Sequence, residues 1–248
     1  MINSLTTHFL KENGYLDALN EPIRKEELRF TDGGDVFRLS SLAGIYKLRQ
    51  TSGSVKRIDV SKNMLTNIED LCAITSAESQ LNMYCDSVKE INARHNVIER
   101  ISKSESNFGW VDKMVNLKHL DLSYNRLECI PNLSTMPVLR VLLLNNNKII
   151  SKNFAEHLRH GHQLRTLDLS NNQIEFRTSD QLIDAFKAGG CGETGGAETL
   201  HWVHVHSHSD SHCHMHRLQE SGSSADIEHG GQPIHHFQYR NAMAHLGY

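Results

Sequence analysis

The sequence predicts an α/β solenoid, a stack of repeated units with short parallel strands on a concave face and helices or irregular segments on a convex face. Three observations predict it: a recurring motif, an asparagine at one fixed place in every copy, and an alternation of apolar residues that buries one side of each strand. The motif occurs in five segments. They are Val55–Leu65, Val88–Ile98, Leu117–Leu127, Leu139–Ile149 and Leu164–Ile174.

The last three copies match the pattern LxxLxLxxNxL, and the first two carry Val, Ile, Met or Ala at leucine positions. In LxL, the two leucines point inward along a strand while the residue between them points out. An asparagine follows each strand where the chain turns, and a buried amide can both donate to and accept from neighbouring backbone groups. We therefore expect a structural ladder of five side chains: Asn63, Asn96, Asn125, Asn147 and Asn172.

With these copies, the chain resembles the leucine-rich repeat family from about Val55 to Gly189. The resemblance implies a horseshoe that binds protein through its concave face. The uneven spacing of the asparagines is similar to a mixture of ribonuclease-inhibitor-like and short intracellular repeats. Convex helices are expected at about 68–84 and at 179–189, where Gly189 ends the second one.

Outside the array at 55–189, three segments have a different character. Residues 1–54 are expected to form a mostly helical N-terminal cap, with helical candidates at 5–19 and 40–50 and with Leu28 to Phe30 as a degenerate first strand. Residues 190–216 are rich in Gly and His, and Leu200, Val203 and Val205 fit the frame of a degenerate last strand. Residues 217–248 have few apolar residues and are predicted to be a disordered tail.

Composition and missing motifs disfavour several classes of function. Lys and Arg number 26 against 29 Asp and Glu, a formal net charge of −3 that does not favour nucleic acid or a membrane surface. Five cysteines without a CxxC pair favour free thiols and a cytoplasmic protein, with nuclear and cytoskeletal locations left open. No signal peptide or transmembrane run is recognised, which agrees with the cytoplasmic expectation. No catalytic motif is recognised either, so we expect no enzyme and no cofactor.

The outward strand positions form parallel columns, and these are the candidate partner-binding residues. Val141 and Leu143 stand out because they are an aliphatic pair at outward positions, beside an aromatic residue and flanking carboxylates, as in a protein-interface hot spot. The alternatives are ordinary solvent exposure of the pair and its cover by a loop or terminal segment. The candidates are Arg57, Asp59, Glu90, Asn92, Arg94, His119, Asp121, Tyr124, Val141, Leu143, Thr166 and Asp168. The function predicted is a protein-interaction scaffold or regulatory subunit, monomeric or in a hetero-complex.

Two other functions compete with this one. Arg57, Lys62 and Arg94 make a small basic corner, which suggests an RNA-binding adaptor, but no aromatic residues are interleaved with them in the sequence. The chain also has 17 histidines, eleven of them between His201 and His245.

Six of these histidines alternate with other residues and share one face if the chain is extended. They are His204, His206, His208, His212, His214 and His216. Imidazoles at this spacing suit Zn, Ni or Cu, which makes a metal-binding protein the main alternative. Against it, such alternation is typical of low-complexity tracts that bind metals adventitiously. In the last-strand interpretation, Trp202, His204 and His206 extend the concave columns instead.

Overall fold

The structure is a computed structural model. It describes residues 4–31, 38–45, 47–48, 54–68, 71, 87–99, 115–131, 133, 136–150 and 163–174, and the backbone of 202–205 and 214–216. The predicted convex helices lie almost entirely outside these ranges, as does the predicted disordered tail at 217–248. Within the described ranges, no helix combines the length and the apolar character needed to span a membrane.

One eight-stranded sheet, with its strands in chain order, runs through the described residues. Seven consecutive strands are parallel, and the eighth is antiparallel to the seventh. The strands are β1 (Glu27–Arg29), β2 (Arg57–Asp59), β3 (Glu90–Asn92), β4 (His119–Asp121), β5 (Val141–Leu143), β6 (Thr166–Asp168), β7 (Trp202–Val205) and β8 (His214–His216). A parallel stack of one short strand per repeat is the architecture that the sequence predicts.

The alternation of apolar residues explains why each strand buries one side. The central residues of neighbouring strands are partners in register, as with Ile58 and Ile91 or Leu120 and Leu142, and those of β1 to β6 are at most 1% exposed. The second apolar residue of each copy, two positions further on, is fully buried as well. These residues are Val60, Ala93, Leu122, Leu144 and Leu169. The core is therefore a continuous apolar layer behind the sheet, and the intervening strand positions are left on the concave face.

Five buried asparagines connect the repeats through hydrogen bonds. Asn125 Nδ2 donates to the carbonyl oxygens of Ala93 and Leu122, both at 3.0 Å, and its Oδ1 accepts from the backbone N–H of Ile98 at 3.0 Å. The equivalent bonds recur in the other repeats. Each amide thus pairs backbone groups of its own turn and of the preceding repeat, groups that would otherwise be buried without partners.

The N-terminal segment differs from the expected pair of helices. The only α-helix in the described residues is α1 (Thr7–Glu12), which Thr6 caps by accepting from Phe9 N–H. It ends at Asn13 because Gly14 turns the chain with a φ of +67°, and an Asp17 side-chain turn follows. The described residues of 40–48 form a bend, a turn and 3₁₀-helical residues at Ile45, Lys47 and Leu48, but no α-helix. The expectation of a mostly helical cap is therefore wrong for the described residues, and the segment instead adds strand β1 to the sheet.

Strand β7 is the degenerate last strand. Val203 is level with Leu167 of β6, and Trp202 and His204 are level with Thr166 and Asp168. The chain then returns as β8, which pairs His214 with Val205 and His216 with Val203. Because directly paired positions share one face of a sheet, His214 and His216 occupy positions on the opposite face from His204. The single histidine face expected for an extended chain is thus split by the hairpin.

Candidate protein-interaction site

The N-terminal end of the concave face is occupied by ion pairs between strands. Strand β1 places Glu27 level with Arg57 and Arg29 level with Asp59. Arg57 Nη2 lies 3.7 Å from Glu27 Oε2, and Arg29 Nε lies 3.8 Å from Asp59 Oδ2. The predicted site residues Arg57 and Asp59 therefore already have partners of opposite charge within the chain.

Four predicted site residues also stabilise the turn after their own strand. Asp121 Oδ1 accepts from the backbone N–H of Ser123 at 2.9 Å and from its hydroxyl at 2.5 Å, and Asp168 makes the same two bonds to Ser170. The other two make the backbone bond of the turn: Asp59 accepts from Ser61 N–H, and Asn92 accepts from Arg94 N–H. This is the Asx turn, which offers the backbone a local acceptor where the strand ends. These carboxylates and amides thus have a structural role whether or not a partner binds.

Strand β5 is the exception, and here the structure corrects an expectation. Val141 and Leu143, predicted to be an exposed aliphatic pair, are only 2% and 3% exposed. All three residues of β5 are buried, although Val141 and Leu143 lie outside the continuous core behind the sheet. Alternation assigns a residue to a face but does not determine what else packs there, which is why the sequence misjudged this pair. As buried side chains, they do not form an open hot spot in this structure.

An exposed aromatic and cationic cluster lies beside the concave face, at the turns that follow β2, β3 and β4. The Tyr124 ring stacks on the His95 ring with centroids 4.2 Å apart and planes inclined by 30°, and the Arg94 guanidinium carbon lies 4.7 Å from the Tyr124 centroid. Lys62 is adjacent, since its N–H donates to the Arg94 carbonyl oxygen at 2.8 Å. We call these four residues, Lys62, Arg94, His95 and Tyr124, the Tyr124 ledge.

The backbone holds the ledge in an unusual conformation. Lys62, His95 and Tyr124 have φ of +57°, +55° and +55°, in the left-handed region that residues with a Cβ seldom adopt. Each donates its N–H to a carbonyl of the next repeat, so the stacked repeats impose the conformation. Asn146 and Asn171 occupy the same position in the last two repeats. The ledge side chains are therefore presented from a rigid frame, because a strained backbone persists only where its surroundings determine it.

Two histidines near the concave face have lowered pKa values. Burial lowers the pKa of His95, the nearby Arg94 and Lys62 charges lower it further, and Asp121 opposes them. Burial also lowers the pKa of His119 against the opposing effects of Asp121 and Glu90. Both imidazoles are therefore mainly neutral at pH 7, and the positive charge of the ledge comes from Lys62 and Arg94.

The predicted site residues are in this way divided into groups. Arg94 and Tyr124 come together in the ledge, whereas Glu90 and Thr166 are half-buried residues at the first position of β3 and of β6. The prediction did not include Lys62 and His95 among the site residues. A usable signal existed, because both stand one position before a ladder asparagine, as Tyr124 does. The stacking of repeats also places two aromatic rings, those of His95 and Tyr124, beside Arg94 of the basic corner, where the sequence alone indicated none.

The metal hypothesis concerns residues that the structure describes little. His206, His208 and His212 lie outside the described residues, and His204, His214 and His216 are described by backbone alone. Among the described residues, no group of three or more His, Cys, Asp or Glu could hold a metal ion. Metal binding by the six histidines stays a prediction.

Comparisons with known proteins agree with the repeat architecture. The Leucine Rich Repeat family matches residues 116–136 and 163–188. Toll-like receptor 2 of Boselaphus tragocamelus is 26% identical and that of Homo sapiens 25% identical, each over 187 residues. Each alignment covers 70% of this chain and 24% of the receptor, so the chain spans about a quarter of the length of these curated relatives.

Two solved structures are also similar. An internalin from Listeria monocytogenes matches with a TM-score of 0.32 and 14% identity, covering 58% of this chain and 55% of the internalin. A chain from the octameric complex of Latrophilin 3, Unc5D and FLRT2 matches with a TM-score of 0.21 and 13% identity, covering 55% of this chain and 73% of the other. The recurring motif, the parallel sheet and the asparagine ladder define a leucine-rich repeat fold, and the family match covers two of its repeats.

Proposed function

We propose that this chain is a protein-binding module, acting as a scaffold or regulatory subunit without catalytic activity of its own. The observation that carries the proposal is the Tyr124 ledge. Tyr124 is 38% exposed, although its ring stacks on His95 and lies under the Arg94 guanidinium. Tyr and Arg are enriched among the residues that dominate binding energy at protein interfaces.

The position of the ledge on the repeat frame supports the same function. The turns after three successive strands bring side chains from distant parts of the sequence onto one surface, and the left-handed backbone holds them there. A surface that is ordered before binding loses less conformational entropy when a partner docks. We place the contact on the ledge and the adjoining concave positions. We propose a cytoplasmic setting, which rests on the cysteine pattern alone.

The experiment is affinity purification of the full chain with chemical cross-linking, comparing the wild type with Tyr124→Asn. Asparagine is chosen because it occupies the equivalent left-handed position at Asn146 and Asn171, so the backbone is preserved while the ring is removed. Leu19→Ala is the matched control, because Leu19 is an exposed apolar side chain of the N-terminal segment, outside the sheet.

We expect specific partners to cross-link to the ledge, to be lost from Tyr124→Asn and to be kept by Leu19→Ala. Equal capture by Tyr124→Asn would remove the ledge from the interface. An absence of any specific protein partner for the wild type would contradict the binding function itself.

A further inference from the structure

In the part of the chain that the structure describes, the positive charges of the ledge differ from the other arginines of the concave face in having no carboxylate partner. Arg29 and Arg57 each have a carboxylate within 4.0 Å. Among the described residues, Arg94 and Lys62 have no such carboxylate, and their side chains donate no hydrogen bond. Arg94 Nε is in addition shielded from solvent without an acceptor. Because Nε is shielded, the terminal Nη groups are the donors of Arg94 that can meet a charged acceptor arriving from solvent.

The neighbours of Arg94 explain why it stays available. The Asn92 side chain accepts from the Arg94 backbone N–H, and the guanidinium lies over the Tyr124 ring, so packing positions the side chain without using its donors. Asp121, a carboxylate of the next strand, is already bonded to Ser123. The other residues at the position of Arg94 in the array are small and polar: Ser61, Ser123, Asn145 and Ser170. Arg94 is thus the single cation of this column, beside the cation Lys62.

We propose that Arg94 and Lys62 bind a carboxylate of the protein partner, so that the segment seated on the Tyr124 ledge is acidic. The proposal rests on the proposed protein-binding function and adds the chemistry of the partner. A planar carboxylate suits the guanidinium, and its side-chain carbons pack on the Tyr124 ring. A nucleic-acid backbone fits less well, because it carries a charge on every nucleotide and would have to pass Asp59, Glu90 and Asp121 on the strands beside the ledge, whereas a short acidic segment needs to reach only Lys62 and Arg94.

The test uses the full chain and a fluorescein-labelled peptide with three consecutive glutamates between glycine-serine flanks. The triple-glutamine peptide and a single-stranded RNA of similar length are the comparison probes. Binding is followed by fluorescence anisotropy at neutral pH and low salt, and proton NMR of the His95 and Tyr124 rings locates the contact. The variant Lys62→Gln with Arg94→Gln removes the unpaired charges, and Arg29→Gln with Arg57→Gln removes the same net charge from the paired ones.

We expect saturable binding of the glutamate peptide, weakened roughly tenfold in the ledge variant and much less in the paired-arginine variant. Added salt should weaken binding by screening, and the ring signals of His95 and Tyr124 should shift. Equal losses in both variants, equal binding of the glutamine peptide, or tighter binding of RNA would each overturn the proposal. If the acidic peptide fails while Tyr124→Asn still loses its captured partners, the protein-binding function stands and only the acidic chemistry is rejected.

Discussion

The side chain of Asn125 accepts a hydrogen bond from the backbone N–H of Ile98, 27 residues earlier in the chain, at 3.0 Å. The same amide donates to the carbonyl of Ala93 in the preceding repeat and to that of Leu122 in its own. One short polar side chain therefore links two repeats by hydrogen bonds to backbone groups that are buried away from water. Since the equivalent contact recurs at each asparagine, the ladder is a shared stabilising device of the array.

Asn125→Ala should destabilise the chain by about 3 kcal/mol, because it leaves buried backbone donors and acceptors without partners. The matched control is Asn145→Ala, two residues before the next ladder asparagine, where the structure shows no side-chain hydrogen bond among the described residues. That variant should stay within about 0.5 kcal/mol of the wild type. Urea unfolding followed by circular dichroism measures both, and similar midpoints for the two variants would show that the ladder contributes little.

The double variant Val141→Glu with Leu143→Lys should unfold or severely destabilise the chain, by at least about 3 kcal/mol. Both side chains are almost completely buried, so the substitution places charges where water does not reach. From the sequence alone, the pair was expected to be exposed, and the same variant would then leave stability unchanged. The control Thr166→Lys changes a half-buried neighbour of Val141 and should be tolerated better. A wild-type unfolding midpoint for the double variant would contradict the burial seen in the structure.

Much of this fold could be predicted because its determinants are local and periodic. Two inward residues and an asparagine define each strand and turn, and the same frame extends to Leu28 in β1 and to Val203 in β7. The length of α1 was misjudged because Gly14 and the Asp17 turn end it early, while the apolar pattern alone continues. At this place the local preference of glycine and aspartate for turns outweighs the helical spacing of the apolar residues.

The site was less predictable for a different reason. His95 and Tyr124 stack because the repeats are in register, and this contact becomes visible only when the columns are compared position by position. Within the described part of the chain, Arg94 has no carboxylate partner, in contrast with Arg29 and Arg57, and this difference depends on where the carboxylates of neighbouring strands reach. Such distances follow from tertiary geometry. Sequence patterns can therefore identify the columns of outward residues, but not which residues in a column are available to a partner.

Gly44→Ala should be strongly destabilising, by about 3 kcal/mol or more. Gly44 has a φ of +100°, and a Cβ there would collide with the carbonyl oxygen of Leu5. The backbone of Leu5 is held at this place because its N–H donates to the carbonyl oxygen of Ala43. Gly14→Ala is the matched control. Its φ of +67° costs about 1 kcal/mol for a residue with a Cβ, but no atom lies within 4 Å of the added carbon. Thermal unfolding compares them, and equal losses would mean that the contact between Leu5 and Gly44 is readily displaced.

Lowering the pH should destabilise the wild type relative to His119→Gln. Burial lowers the pKa of His119 below 6.5, so as the pH falls through 6.5 the unfolded chain takes up the proton before the folded chain does. The stability associated with the neutral imidazole is therefore present above about pH 6.5 and is lost as the pH falls towards the folded pKa. Below both pKa values, the difference becomes constant.

Urea unfolding of both chains from about pH 7.5 to 5 measures this difference, and proton NMR of the imidazole gives the folded pKa directly. Comparing the two chains cancels the contribution of the other histidines, which they share. Glu90→Gln provides a second control with a predicted sign: Glu90 raises the pKa of His119, so its removal should lower that pKa further and extend the pH range of the loss. A stability difference that does not change with pH would mean that His119 is accessible to solvent, because desolvation of the charged imidazole is the physical source of the effect.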